Sequence, residues 1–402
     1  MSEVLELYRS VPRFMAAKAV GKRAPGLLAG PLAPIRLIHR PDPEPPADSW
    51  VSLKPLLSGI CGSDLALLAG KSSFYFGPLV SMPFVPGHEV LAELTEADGG
   101  LEAGQRVVLD PVLTCDARGV GPCAACRSGD TGRCDGVTQG HIRPGLQTGY
   151  CADTFGGWGE RMVAHRSQLH PVPEGLPDDR AVLVEPLACA IHSALRGRPG
   201  AGERALVVGA GTVGALTLIA LRAFTEVGRV TAVAKHARQR EWMRRLGADE
   251  VVPTAEAVTA LRRSTHALKL DPEYGPSFLL GGVDAAYDCA GTRSSLDLAL
   301  RTTRAGGRVV LSGIPTEGAD LTPLWFRELE LVGAYTSGVE QLGGESRRTF
   351  DLAIELAATA PLDGFVGARY PLMRWREALD HALSAGRLGT LKVVFEPNGG
   401  PK

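Results

Sequence analysis

Cys61, Ser63, Asp64, His88, Glu89 and Glu185 are the side chains whose types and setting best suit chemistry at one centre. Gly59-Ile60-Cys61-Gly62-Ser63-Asp64 places a thiol in a glycine-flanked turn, with a hydroxyl two residues on. Pro86-Gly87-His88-Glu89 adds an imidazole and a carboxylate at the start of an apolar run, and Glu185-Pro186 adds a carboxylate ahead of a helical stretch. Singly, each is ordinary: a lone cysteine is usually core, and a lone histidine usually structural. One Cys, one His and one or two carboxylates together form a mixed donor set. With water or substrate as the last ligand, such a set makes an open catalytic zinc site.

Of the eight cysteines, four are clustered as Cys115-x7-Cys123-x2-Cys126-x7-Cys134, while Cys61, Cys151, Cys189 and Cys289 are scattered. A long chain without a secretory signature uses such a cluster for a metal more often than for disulfides. Four soft thiolates suit tetrahedral zinc and leave no open position, so this is read as a structural site. An iron–sulfur cluster is the alternative on ligand type alone. Gly119, Gly121, Gly129 and Gly132 allow the tight backbone path.

Gly209-Ala210-Gly211-Thr212-Val213-Gly214 fits G-x-G-x-x-G and stands between a strand-like run, Ala205 to Val208, and an apolar helical stretch. In that context the glycines let backbone approach a pyrophosphate, which the helix N-terminus faces with free N–H groups. About twenty residues further on, a carboxylate would hold the 2′-hydroxyl of NAD. Here the residues are Ala234, Lys235, His236 and Arg238, and no carboxylate lies between Gly228 and Arg240. Cations there suit the 2′-phosphate, so NADP(H) is expected over NAD(H).

These residues must be positioned by two kinds of element. Residues 1–185 are punctuated by glycine and proline between short apolar runs such as Val51 to Leu57, Val90 to Leu94 and Arg106 to Leu109, a β-rich pattern. Pro41 to Pro46 is a stiff connector. From Leu187 the texture changes: helix Leu187 to Leu195, strand Ala205 to Val208, helix Thr212 to Phe224, strand Arg229 to Ala234, helix His236 to Leu246, strand Asp284 to Asp288, helix Ser294 to Thr302 and strand Arg308 to Ser312. This alternation predicts an α/β fold with a doubly wound parallel sheet. Ser264 to Gly282 fits poorly and is read as an irregular insertion; Glu345 to Ala358 and Trp375 to Ala385 read as helices, and Leu391 to Phe395 as a last strand. A net charge of -1 gives no pull toward nucleic acid or anionic membrane. No apolar run approaches the ~20 residues of a membrane span, and Met1 to Ser10 lacks an apolar signal core, so a cytoplasmic protein is expected.

On Gly59 to Asp64, Pro86 to Glu89, the cysteine lobe, Gly157 to Glu160, Val184 to Leu187 and Gly209 to Gly214, the chain resembles the zinc-containing medium-chain dehydrogenases over nearly its whole length. It is closer to their sorbitol and threonine dehydrogenase branch than to liver-type alcohol dehydrogenases. The resemblance implies a GroES-like catalytic domain at residues 1–187, with a metal-tied lobe at about 110–140. It implies a Rossmann domain at 188–334 and a segment 335–402 returning to the catalytic domain. It further implies Cys61 and His88 as catalytic zinc ligands, with Glu89 or Glu185 as the carboxylate ligand. Glu185 matches the position where this branch has a glutamate. Asp64 would orient His88 through its other ring nitrogen. Ser63 would receive the substrate proton; backbone at Ser312, Gly313 and Ile314 would hold the nicotinamide near Cys289 to Gly291, and Lys392 would reach the pyrophosphate. Phe74, Tyr75, Phe76 and Trp158 would wall the substrate cleft. Where many members carry a relay histidine, this chain has Ala66. Two zincs per chain and a homodimer or homotetramer, pairing through an edge strand at Leu329 to Tyr335, complete the expectation.

The activity expected is interconversion of an alcohol, preferably secondary, and a ketone or aldehyde with NADP(H). Reduction of an activated C=C or C=N bond on the same fold is the alternative. A non-catalytic nicotinamide sensor is a third reading, and the intact Cys61, His88 and Glu185 argue against it.

Overall fold

The computed structural model describes residues 1–21, 25–30, 32–314 and 318–399. Six parallel strands form one sheet, in the order Glu250–Val252, Arg229–Val233, Arg204–Val208, Val283–Asp288, Thr303–Leu311, Glu330–Gly333. The first half of the sheet therefore grows one way from Arg204–Val208 and the second half the other way. The chain reverses between Arg204–Val208 and Val283–Asp288, and a doubly wound sheet binds ligands in the crevice at that switch. Helices Val184–Gly197 and Thr212–Phe224 pack together on this sheet. Their contact faces are alanine- and leucine-rich, and Ala190, Ala194, Ala215 and Leu216 are fully buried.

A seven-stranded sheet carries the other half of the chemistry. Trp50–Gly59 is its spine, paired antiparallel with Val90–Leu94, Met162–His165 and Lys392–Phe395. The last strand comes from the C-terminal end of the chain, so Gly59 and Val394 lie side by side. Trp158, Phe395, Phe84 and Leu53 fill the core beneath. Ser2–Leu7 pairs with Ile35–Arg40, and the intervening chain makes a helix, Val11–Val20, and a 3-10 turn, Pro25–Ala29. This excursion was not foreseen from the sequence. Its Ala17 and Leu28 bury against Ala69, just past the turn that bears Cys61.

Most expected elements lie within a few residues of their observed bounds, and Thr212–Phe224, Val90–Leu94 and Arg106–Leu109 coincide with theirs. The strand expected from Arg308 begins at Thr303, and the helices expected at Leu187 to Leu195 and Trp375 to Ala385 run Val184–Gly197 and Trp375–Leu388. Two segments differ in kind. Within the supposed irregular insertion, Leu268–Leu270 and Phe278–Leu280 form an antiparallel hairpin. Glu345–Arg348 is a strand paired with Val339–Leu342, and the helix begins only at Thr349. The cause is Gly343-Gly344, both at positive φ (59 and 88°), a two-residue hairpin turn that side-chain-bearing residues rarely form. The candidate edge, Leu329 to Tyr335, contains the strand Glu330–Gly333, which pairs on one side only. No helix among the described residues is long and apolar enough to cross a membrane.

Phe395 is fully buried against Trp158, with ring centroids 5.1 Å apart. Phe395→Ala should lower unfolding stability by about 3–5 kcal/mol. Urea denaturation followed by tryptophan fluorescence would show it.

Candidate active site

Cys61 stands at the end of the spine strand and begins the helix Gly62–Leu68. Its backbone N–H donates to Asp64 Oδ2 at 2.9 Å, so Asp64 closes the first turn that aims the thiol. His88 and Glu89 precede the neighbouring strand Val90–Leu94, which pairs with the spine and carries them alongside. One ligand atom each from Cys61, His88 and Glu89 lie within 4.8 Å of one another. Gly59 has a clear reason to be glycine: a Cβ there would collide with Glu89 Oε2.

Glu185 enters from the first turn of Val184–Gly197 and is buried. Burial pushes its carboxyl up to about 7, against the opposing pull of His88. Cys189, one helical turn later, donates its thiol to Glu185 Oε1 at 3.4 Å. Burial likewise raises Asp64, despite His88 nearby. For His88, burial favours the neutral ring, but Asp64 and Cys61 outweigh it and hold the imidazole well above its ordinary value. Its Nδ1 is buried without a hydrogen-bond partner, since Asp64 Oδ1 stands 3.7 Å away. Carboxyls driven toward neutrality, an imidazole driven toward its cation and an orphaned ring nitrogen mark donors short of positive charge. A divalent cation matches that need, and the Cys/His/carboxylate set fits zinc.

Two expectations change here. Lys392 does not extend toward a pyrophosphate. Only 3% exposed, it donates to both oxygens of Glu89 at 2.6 Å and to Ile60 O at 3.4 Å. The ammonium stays with the buried carboxylate because drawing it away would leave Glu89 as an uncompensated buried charge. Trp158 does not wall a cleft. It is fully buried, donates Nε1–H to Gly59 O at 3.3 Å and packs beneath the site strand. Phe74 and Tyr75 are exposed, Phe76 is half-buried, and Phe74 leans on Phe14 of the N-terminal excursion at 5.5 Å.

Tyr150 was missed, because it belongs to no short motif. Its hydroxyl donates to Ser63 Oγ at 3.1 Å, and its ring lies 5.7 Å from that of His88. Arg118 was missed too. Fully buried in the cysteine lobe, it donates to Leu113 O, Gln139 O, Ile142 O, Arg143 O and Gly145 O. Those bonds gather the loop that carries the four thiols. The Sγ atoms of Cys115, Cys123, Cys126 and Cys134 lie within 4.8 Å of one another. Zn–S bonds of ~2.3 Å place tetrahedral thiolates ~3.8 Å apart, so the cluster fits zinc with little movement. Backbone N–H groups of Cys123, Cys126 and Gly136 already point at sulfur, and the one from Cys126 helps bring Cys123 down to about 6.

At the dinucleotide turn, Gly209 has φ 102° and a Cβ on Gly214 would collide with Gly209 O, so the strand runs straight into the helix. Gly211 is exposed with open space where a side chain would be, and Val213 sits half-buried in the first helical turn. Thr212 Oγ1 donates to Leu391 O at 2.6 Å, and Arg238 to Leu388 O at 2.7 Å. These two expected cofactor residues thus also tie the parallel sheet to the C-terminal segment. Lys235 is exposed, His236 half-buried and Ala234 buried. Ser312 and Gly313 donate their N–H groups to Asp288 O at 3.0 and 2.8 Å, and Ser312 Oγ bonds Ser193 Oγ. Gly313 lies so near Gly291 N that a Cβ would come to 2.5 Å.

Residues 47–174 match the family described as the alcohol dehydrogenase GroES-like domain, and residues 212–358 match zinc-binding dehydrogenase. L-idonate 5-dehydrogenase of Vitis vinifera is 29% identical over 79% of each chain. Sorbitol dehydrogenase of Bacillus subtilis is 25% identical over 87% of this chain and 90% of its own length. A zinc-binding dehydrogenase of Sinorhizobium meliloti solved with NADP superposes with a TM-score of 0.70 at 24% identity, covering 98% of this chain and 99% of that one. With its two sheets, the chain belongs to the zinc-dependent medium-chain dehydrogenases of the alcohol dehydrogenase superfamily, in the sorbitol-dehydrogenase-like branch. Its activity is that of a zinc-dependent alcohol oxidoreductase.

Lys392→Met leaves Glu89 as a buried unpaired carboxylate and should cost about 3–5 kcal/mol in urea unfolding. The double variant Lys392→Met/Glu89→Gln should recover most of that loss.

Proposed function

We propose that the enzyme interconverts a polyol-like secondary alcohol and its ketone using NADP(H). It would carry a catalytic zinc on Cys61, His88 and a glutamate, and a structural zinc on Cys115, Cys123, Cys126 and Cys134. The observation that carries this is the convergence of Cys61, His88 and Glu89 beside two further buried carboxyls, Asp64 and Glu185, that burial drives toward neutrality. Proximity alone favours Glu89 as the third ligand. We assign Glu185 instead, because Lys392 holds both Glu89 oxygens while only the Cys189 thiol holds Glu185. The polyol class is supported by relatives named sorbitol, L-idonate and D-arabinitol dehydrogenase.

When bound, zinc supplies Lewis acidity that acidifies the alcohol, and the nicotinamide supplies the hydride acceptor. The chain does the rest. Ser63 Oγ, two residues from Cys61, would accept the alcohol proton as it releases its own to water, and Tyr150 Oη donates to that Oγ at 3.1 Å. That pair stands in for the imidazole that Ala66 does not provide. The close approach of Gly291 and Gly313 leaves backbone at the crevice, where a flat ring can be held without side-chain interference. Phe74 and Tyr75 offer an apolar rim to the substrate's far end. At the 2′ position, Lys235 and the absence of a carboxylate support NADP(H). A homodimer or homotetramer through the edge strand Glu330–Gly333 would cover the exposed Trp325 and Phe326.

Elemental analysis should find two zincs per chain. Cys61→Ala should lose one and abolish turnover, and Cys123→Ser should lose the other together with thermal stability. Active wild-type protein with a single zinc would contradict the two-site assignment. A panel of polyols and ketones, followed by nicotinamide absorbance, identifies the substrate; turnover only of enones or imines would replace the alcohol reading.

A further inference from the structure

A cation cluster gathers where the parallel sheet meets the C-terminal helix Trp375–Leu388, and half of it comes from outside the dinucleotide-binding sequence. Gly386 of that helix packs directly on the start of Ala237–Arg245: a Cβ there would lie 3.0 Å from Gln239 Nε2 and 3.1 Å from His236 Cδ2. The following residues are pinned to the same helix. Leu388 O accepts from Arg238 at 2.7 Å and Gly389 O from Trp242 Nε1 at 3.0 Å. Arg387 is therefore held between two anchored neighbours, on the edge of the ground occupied by Lys235 and His236. Arg240 lies there as well, donating to Ala234 O at 3.2 Å and Lys235 O at 3.1 Å.

Burial and then the charges of Lys235, Arg240 and Arg387 all disfavour protonation of His236. Among the described residues, none of Lys235, Arg238, Arg240 or Arg387 has a carboxylate within ion-pair distance. Nearby Arg222 and Arg229, by contrast, are paired with Asp249 and Glu250. Among the described residues, Arg238 has no further hydrogen-bond partner besides the Leu388 carbonyl, and Arg387 has only Ser384 Oγ at 3.5 Å. Unneutralised cations gathered at a helix N-terminus and facing the end of the second strand of a dinucleotide fold are placed where the adenosine ribose carries its 2′ substituent.

We infer that Arg387, reaching across from the C-terminal helix, joins Lys235 and Arg240 in binding the 2′-phosphate of NADP(H). It is thereby a cofactor-specificity residue supplied from outside the parallel-sheet segment. The inference rests on the NADP(H) reading above. It also makes the junction itself part of cofactor choice, because Arg387 reaches the phosphate only while Leu388 and Gly389 stay docked on Arg238 and Trp242.

The test needs no substrate. Dissociation constants for NADPH and NADH are measured by quenching of protein fluorescence in wild type, Arg387→Gln and Arg387→Lys. Arg387 is exposed, so its variants should keep the wild-type unfolding temperature. Arg387→Gln should weaken NADPH by about tenfold, Arg387→Lys by less, and NADH by under about twofold in both. Unchanged NADPH affinity, or equal loss for both cofactors, would overturn the inference while leaving the NADP(H) reading in place. A wild type that binds NADH as tightly as NADPH would overturn that reading, and this inference with it.

Discussion

A carboxylate and an ammonium, each almost wholly shut off from water, meet at the heart of this enzyme. Glu89 comes from just before the strand next to the spine, and Lys392 from the last strand of the chain. Neither tolerates burial alone, so the pair requires the C-terminal strand to seat beside Gly59 before the catalytic turn is complete. Gly59 makes room for Glu89, and Ile60 O accepts from Lys392 Nζ, so the residues just before Cys61 are fixed by the same contact. The thiol, the imidazole of His88 and the carboxylate of Glu185 are arranged around this neutralised pair. The positive charge they still lack is what a zinc ion would provide in the proposed site.

The same C-terminal segment performs a second task a few residues earlier. Leu388 O, Gly389 O and Leu391 O accept from Arg238, Trp242 and Thr212. Carbonyls freed at the end of Trp375–Leu388 would otherwise need water or a cap, and here side chains from the helices Thr212–Phe224 and Ala237–Arg245 help satisfy them. One stretch of chain thus connects the dinucleotide turn to the metal turn. Hydride transfer needs the nicotinamide and the reacting carbon in a fixed mutual position. A bonded junction between the two sheets is a direct way to fix it.

The cysteine lobe follows a different logic. It has little apolar interior of its own: Leu113, Ala117, Ile142, Cys151, Val163 and Trp50 make one small cluster. Arg118 takes the place of a larger core by donating to five backbone carbonyls around it. Thiol spacing alone singled out the four cysteines that lie together, but nothing in that spacing distinguishes Arg118 from any other arginine.

Local pattern carried much of this protein. The cysteine spacing, Gly209 to Gly214 between a strand and a helix, and the alternation of apolar runs after Leu187 follow from short-range rules, because metal geometry, phosphate approach and helix period act over a few residues. Gly343-Gly344 was equally local and could have been read as a hairpin turn. Other outcomes depended on partners hundreds of residues away. Trp158 is core rather than cleft because Phe395 and Gly59 O claim it. Lys392 is a counter-ion rather than a phosphate ligand because Glu89 is buried beside it. Tyr150 reaches Ser63 only after its loop meets the helix Gly62–Leu68. A side chain's type states what it can bond; which of several eligible partners it meets is decided by burial and proximity, and those exist only in the folded chain.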